Sequence, residues 1–321
     1  MGCSEPIRRP VPRRCASFRT DLDPFDRTNG PATLLDLTAG RTLGSVIPAV
    51  MGVLNATPDS FSDGGRYLGL DLSVARVHEM IVEGAAVIDI GGESTRPGAH
   101  DVSPAEQIQR VVPVIAAVID VCRDRLVRIS VDTRSRDVAR AAVAAGASII
   151  NDVSGALGSL AAELQVGWVC MHMAGTPATM ADTPTYNDVV TEVLAWLIER
   201  ADAATTAGCT DIWIDPGFGF GKTAAHNLAL LGHLDQFVAS GYPVAIGTSR
   251  KSTLGALTTA SDVRVGLRQT GDIVGPDDRF EASIASATWA MQSGVSMVRA
   301  HDVRAHVHAA TVVAGTMPGA A

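Results

Sequence analysis

The sequence predicts an α/β fold: a closed (β/α)8 TIM barrel with a short N-terminal hairpin and a flexible N-terminal tail. Three observations point there. Eight short apolar or β-branched runs alternate with Ala-rich helical stretches. Residues are 46% hydrophobic but only 4% aromatic, so the core must be built from Ala, Val, Ile and Leu, as in a parallel sheet buried on both faces. An open doubly wound sheet would need a Gly-rich phosphate turn directly after the first strand, and none is present.

The elements follow in order. Residues 1–31 are rich in Arg and Pro, then Asp, and read as a disordered or loosely attached tail. The barrel domain is expected over residues 32–316. Thr33–Leu37 is a short apolar strand that could pair with Arg41–Leu43 as a hairpin. The eight barrel strands are expected at Ile47–Leu54, Ala86–Gly91, Arg128–Asp132, Ser148–Asp152, Gly167–His172, Asp211–Asp215, Pro243–Gly247 and Ser296–Arg299. Helical patterns occupy Leu72–Glu83, Pro104–Val121, Arg136–Ala145, Asn187–Ala207, Ala224–Leu234 and Arg279–Gly294, and a last helix carries His306 and His308. Gly84, Gly146 and Gly208 each end a helix and lead into a strand, as left-handed caps do. Thr258–Asp278 reads as a long, polar, mobile insertion.

Composition excludes several functions. A net charge of −8 leaves no global basic field for nucleic acid. Five cysteines without a CxxC pair suggest a reducing compartment. No run of 18 apolar residues suggests a membrane helix, and the N-terminus lacks an apolar signal core, so a cytoplasmic protein is expected. Gly217–Thr223 misses the Walker spacing, and also the dinucleotide pattern because residue 222 is Lys. Of 26 basic residues only Lys222 and Lys251 are lysines. Where Arg so prevails, a surviving Lys suggests a duty that Arg cannot perform.

In such a barrel the chemistry sits at the C-terminal strand ends. There the strands deliver Asn55, Glu93, Asp132, Asn151, His172, Asp215, Lys251, Arg299 and His301. One Asp at a strand end is usually a helix cap. Caps do not require an Asn facing two carboxylates, with a Lys beside them. Asp132, Asn151, Asp215 and Lys251 together offer donors and acceptors to a flat heterocycle with the mixed edge of a 2-amino-4-oxo pterin. Arg299 and His301 are two apart, so they share a strand face and make an anion site suited to phosphate. Asn55 ends the first strand, which neighbours the eighth in a closed barrel, and its amide oxygen can ligate Mg²⁺.

Met51–Gly65 and Asp89–Gly98 closely resemble the two signatures of the dihydropteroate synthase family. The resemblance continues through Ser130–Thr133, Ile150–Asp152, Asp215–Lys222, Ser249–Ser252 and Arg299–Asp302, in order, over roughly residues 33–314. It implies a transferase of folate biosynthesis, a sulfonamide-target family, which joins a pterin diphosphate to 4-aminobenzoate. It further implies a pterin pocket at Asp132, Asn151, Asp215 and Lys251, walled by Met171, Phe220 and Gly247. Pyrophosphate would sit on Asn55, Arg299 and His301 with Mg²⁺ at Asn55, and Arg299 would stack on the pterin. Thr95, Arg96, Pro97 and Ser252 would form the 4-aminobenzoate pocket. Mobile loops at about 56–70 and 93–104 would close the site. Asp132, Lys251 and Arg299 would be the catalytic residues, and the family is typically a homodimer. A pterin-binding methyltransferase would lack the Ser60–Gly65, Ser249–Ser252 and Arg299–His301 signatures. A non-enzymatic paralogue would be expected to lose the loop or anion residues, which this chain keeps.

Overall fold

The computed structural model describes residues 47–56, 65–93, 101–175 and 185–316. The tail 1–31 and the expected hairpin at 33–43 lie outside the described residues, as do Thr95, Arg96 and Pro97. Strand β1 (Ala49–Asn55) leads to helix α1 (Gly65–Val82), β2 (Val87–Gly91), α2 (Pro104–Asp124) and β3 (Arg128–Asp132). The order continues with α3 (Arg136–Ala145), β4 (Ile149–Asp152), α4 (Gly158–Leu164), β5 (Gly167–Met171), α5 (Val189–Thr206) and β6 (Ile212–Asp215). Then come α6 (Ala224–Gly232), α7 (Leu234–Val238), β7 (Ala245–Ile246), α8 (Ser252–Arg264), α9 (Phe280–Gln292), β8 (Met297–Ala300) and α10 (Val303–Thr316).

The eight strands form one parallel sheet in the order β6-β5-β4-β3-β2-β1-β8-β7. A parallel bridge between Ile214 and Val244 brings β6 to β7 and closes the ring. The expected adjacency of first and eighth strands is present, with Gly52 beside Ala300.

Strand alternation sorts the side chains into two cores. One parity, including Val50, Ile88, Val131, Ile150, Cys170, Ile214 and Val298, packs outward against the helices. The other parity, including Met51, Val87, Ile149, Val169, Trp213, Ala245 and Met297, plugs the lower barrel. Both faces are therefore apolar, which is why the strands read as continuous runs rather than as alternating ones. Gly52 faces outward where α1 and α10 approach; a Cβ there would lie 2.7 Å from Met80 Sδ and 2.9 Å from Val303 Cγ2.

Three expectations change. The pattern over 224–234 resolves into two helices, with His233 between them. Thr258–Asp278 is not wholly loop: its first part belongs to α8, and a 3-10 turn spans Pro276–Asp278. The seven-residue α4 was not anticipated. Gly84, Gly146 and Gly208 do adopt positive φ, at 96°, 121° and 98°. Among the described residues no helix is long and apolar enough to cross a membrane.

Candidate active site at the C-terminal strand ends

The inward parity that plugs the lower barrel turns polar at the top. In β2, Val87 is followed two residues on by Asp89; in β4, Ile149 by Asn151; in β6, Trp213 by Asp215; in β8, Met297 by Arg299. The expected strand-end residues thus share one face, and register levels them. Asn55 pairs with Gly91, Gly91 with Asp132, and Asp132 with Asn151. Asp152 has the opposite parity and is structural. Its carboxylate accepts from the backbone N–H groups of Ser154, Ala156 and Leu157 and from Trp168 Nε1.

At the centre lies Arg299. Its Nε donates to Asp89 Oδ2 at 2.7 Å and its Nη2 to Asp132 Oδ2 at 2.9 Å. Asn151 Nδ2 donates to the same Asp89 oxygen at 3.0 Å. Asp89 is fully buried and was missed as a site residue, although its inward parity could have found it. Burial opposes the guanidinium's charge, but Asp89 and Asp132 outweigh it and hold Arg299 charged. Burial pushes the Asp132 carboxyl up to about 7, against the pull of Arg299. The guanidinium is shared between two carboxylates, so it does not fully offset the loss of water at Asp132. Asp132 Oδ1 is a buried acceptor without a hydrogen-bond partner among the described residues.

Asp215 is raised to about 6 by burial, which a hydrogen bond from the Gly217 N–H (2.7 Å) and the charge of Lys251 oppose. Lys251 places its Nζ 3.7 Å from the centroid of the Phe220 ring, a cation–π contact. Phe220, Met171 and Val153 form a small apolar cluster, with Met173 packed against it. Gly247 opens space beside Arg299, whose Cβ would be 3.5 Å from an added Cβ. Arg250, just before Lys251, has φ 61°, an uncommon conformation for a residue with a side chain. Its Nη2 pairs with Asp302 at 2.9 Å, and its N–H donates to Ser283 Oγ at 3.0 Å. Those bonds fix the turn from which Lys251 projects. Ser252 follows as the exposed first residue of α8.

His301 lies in the bend just beyond β8, where strand alternation no longer fixes its direction, and its Nδ1 lies 3.0 Å from Ser249 Oγ. Burial, then the charges of Arg299 and Arg250, lower its pKa to about 3, so the ring is neutral. As an anion contact it would act by hydrogen bonding rather than by charge. Asn55 is exposed at the mouth.

Comparison with known proteins identifies the family. Residues 51–301 match the family model described as "Pterin binding enzyme". The chain is 42% identical over 284 residues to dihydropteroate synthase of Escherichia coli K12, covering 87% of this chain and 95% of that protein. It is 44% identical over 272 residues to dihydropteroate synthase of Mycobacterium leprae, covering 82% and 92%. Among solved structures it resembles Xanthomonas albilineans dihydropteroate synthase with 4-aminobenzoic acid, at 43% identity and a TM-score of 0.72 over 84% of this chain and 94% of that one. It also resembles the same enzyme in complex with 7,8-dihydropteroate, at 40% identity and a TM-score of 0.70 over 88% and 98%. At this identity and coverage the chain belongs to the dihydropteroate synthase family of pterin-binding enzymes.

Proposed function

We infer that the polar end of the barrel is where this chain performs the family's reaction. The chain is a transferase. It condenses 6-hydroxymethyl-7,8-dihydropterin diphosphate with 4-aminobenzoate, giving 7,8-dihydropteroate and pyrophosphate in folate biosynthesis. The observation that supports the location is the convergence of Asp132, Asn151 and Asp215 on one inward face, with Lys251 across from them.

In this reading Asp215 and Asp132 accept the pterin's N–H groups, and Asp132 Oδ1 is an acceptor already in position. Asn151 gives one amide hydrogen to Asp89 and turns its remaining capacity to the pocket. Lys251 serves the pterin carbonyl, while Met171, Phe220 and Gly247 form the walls. The arylamine nitrogen attacks the pterin methylene carbon as the C–O bond to diphosphate breaks. The bonding pair leaves with pyrophosphate, and the amine gives up one proton. Electron-deficient character at the pterin is eased by the Asp132 carboxylate, and charge on the leaving group by Arg299, with His301 donating a hydrogen bond. Thr95, Arg96, Pro97 and Ser252 are assigned to 4-aminobenzoate.

Magnesium belongs to the same proposal. Among the described residues no cluster of three His, Cys, Asp or Glu could hold a metal. Asn55 offers one amide oxygen at the mouth, which fits an ion that arrives bound to diphosphate and completes its shell with water. When bound, Mg²⁺ would neutralise charge on the leaving group. Homodimerisation and residence in the cytoplasm remain parts of this reading; the free, buried thiols of Cys122, Cys170 and Cys209 support the latter. The direct test is incubation of purified protein with both substrates and Mg²⁺. Dihydropteroate and pyrophosphate should appear in equal amounts, and chelation should suppress both. Asp132→Asn should lower kcat/KM at least tenfold; wild-type turnover in that variant would remove Asp132 from the mechanism.

A further inference from the structure

Lys222 lies outside every role assigned above, yet it is half-buried at the active pole. The turn between β6 and α6 folds around it. Its Nζ donates to the carbonyl oxygens of His172 (3.1 Å), Gly217 (3.0 Å) and Phe220 (3.1 Å), and stands 3.0 Å from His172 Nδ1. An ammonium has three hydrogens, and these four acceptors, two of them on His172, take up all three, with one hydrogen shared. With Nδ1 accepting, the His172 proton sits on Nε2, and burial followed by the charge of Lys222 keeps that ring neutral. Burial also lowers the lysine's own pKa, to about 7, against support from Asp215.

The cage can form only because the turn is left-handed at Gly217, Gly219 and Gly221 (φ 68°, 85° and 60°). The carbonyls it converges on belong to residues with neighbouring duties. Gly217 is held by its carbonyl to Lys222, while its N–H donates to Asp215. Phe220 is held by its carbonyl, while its ring meets Lys251. A planar guanidinium spreads its donors over one plane and cannot offer three hydrogens to carbonyls that meet at a single atom. That accounts for a lysine here in a chain whose 26 basic residues include only two.

We propose that Lys222 is a positioning residue of the pterin pocket: a fixed internal ammonium that cages the β6–α6 turn and so sets both the Asp215 carboxylate and the Phe220 wall. The inference rests on the pterin lying at this pole. Lysine labelled with ¹⁵N gives only two side-chain signals in this chain, which makes the cage visible in the unaltered protein. At pH 6 the Lys222 ammonium should show a proton-coupled, exchange-protected signal, assigned by its loss in Lys222→Met. In Lys222→Met, checked for native circular dichroism, the Kd for 6-hydroxymethylpterin should rise at least tenfold, while the KM for 4-aminobenzoate at saturating pterin diphosphate stays within twofold. A rapidly exchanging or neutral Lys222 amine in the wild type overturns the proposal even if the variant does not fold. So does a pterin Kd within twofold of wild type, or a parallel rise in both constants. If the wild type itself binds no pterin, the site assignment fails rather than the cage alone.

Discussion

Asp132 sits where burial and charge pairing oppose each other most. Burial raises its carboxyl to about 7, and Arg299 at 2.9 Å pulls the other way. An unfolded Asp ionises near 3.9, so the native state keeps a proton that the unfolded chain has lost. This contribution favours the fold most below about pH 4 and is lost as pH rises through about 7. Function has the reverse sign, because the proposed role needs the carboxylate. The carboxyl ¹³C shift of Asp132 should titrate near 7 in the free enzyme, and kcat/KM for the pterin diphosphate should fall as pH drops below that value. Asp132→Asn should lose this limb of the profile while keeping any limb from Asp215 near 6. A carboxyl midpoint below 5 would mean that Arg299 wins. The residues that could be read from sequence were those at strand ends, where Asp132, Asn151 and Asp215 stand out as polar groups after apolar runs. Asp89 is marked in the sequence only by its inward parity, because it lies inside a strand and its partners come from β4 and β8, far away in sequence. Lys222 stands out in the sequence as one of two lysines, but its duty does not: three of its four partners are main-chain carbonyls, which carry no residue identity.

At the level of elements, two glycines separate the frame from the site. Gly52 has ordinary strand geometry and is needed for the approach of α1 and α10, where an added Cβ meets Met80 and Val303. Gly217 is left-handed, and an added Cβ would lie 1.8 Å from the His172 carbonyl oxygen. Gly52→Ala overpacks a core contact with one flexible side, so it should cost about 1–3 kcal/mol in urea unfolding and leave pterin affinity unchanged. Gly217→Ala strains the backbone by roughly 1–2 kcal/mol before any clash, and it disturbs the turn that holds Asp215 and Phe220. It should weaken pterin binding as well as stability. Equal effects of the two substitutions on pterin affinity would contradict this separation. The same physics explains which elements the sequence exposed. Strands buried on both faces are uniform apolar runs with a clear start and stop, and all eight were placed within a few residues. Helix α8 was overlooked because Ser252, Thr253, Gly255 and a Thr-Thr pair interrupt any apolar stripe; its buried residues are the consecutive Thr253, Leu254 and Gly255. Helix α4 is too short for a periodic pattern to repeat.

For the whole molecule, the ring of strands is unevenly closed. Strands β1 and β2 share five register pairs, as do β2 and β3, whereas β7 is two residues long and meets β6 through one bridge. Pro243 contributes only its carbonyl to that seam, accepting from the Ile214 N–H at 2.9 Å. In the proposed reading the pterin pocket straddles this closure. Asp215 stands on the β6 bank, while Gly247 and Lys251 follow β7 on the other. A ligand held by both banks would supply cross-seam contacts that the backbone lacks, and binding energy would then appear as local stability. Amide hydrogen exchange should therefore be faster over 244–247 than over β2 and β3 in the free protein. Adding 6-hydroxymethylpterin should slow exchange at 244–247 and at 214–217 by more than it slows β2. Uniform protection around the free ring would show that the seam is not weak. Slowing confined to β2 and β3 would place the ligand away from it.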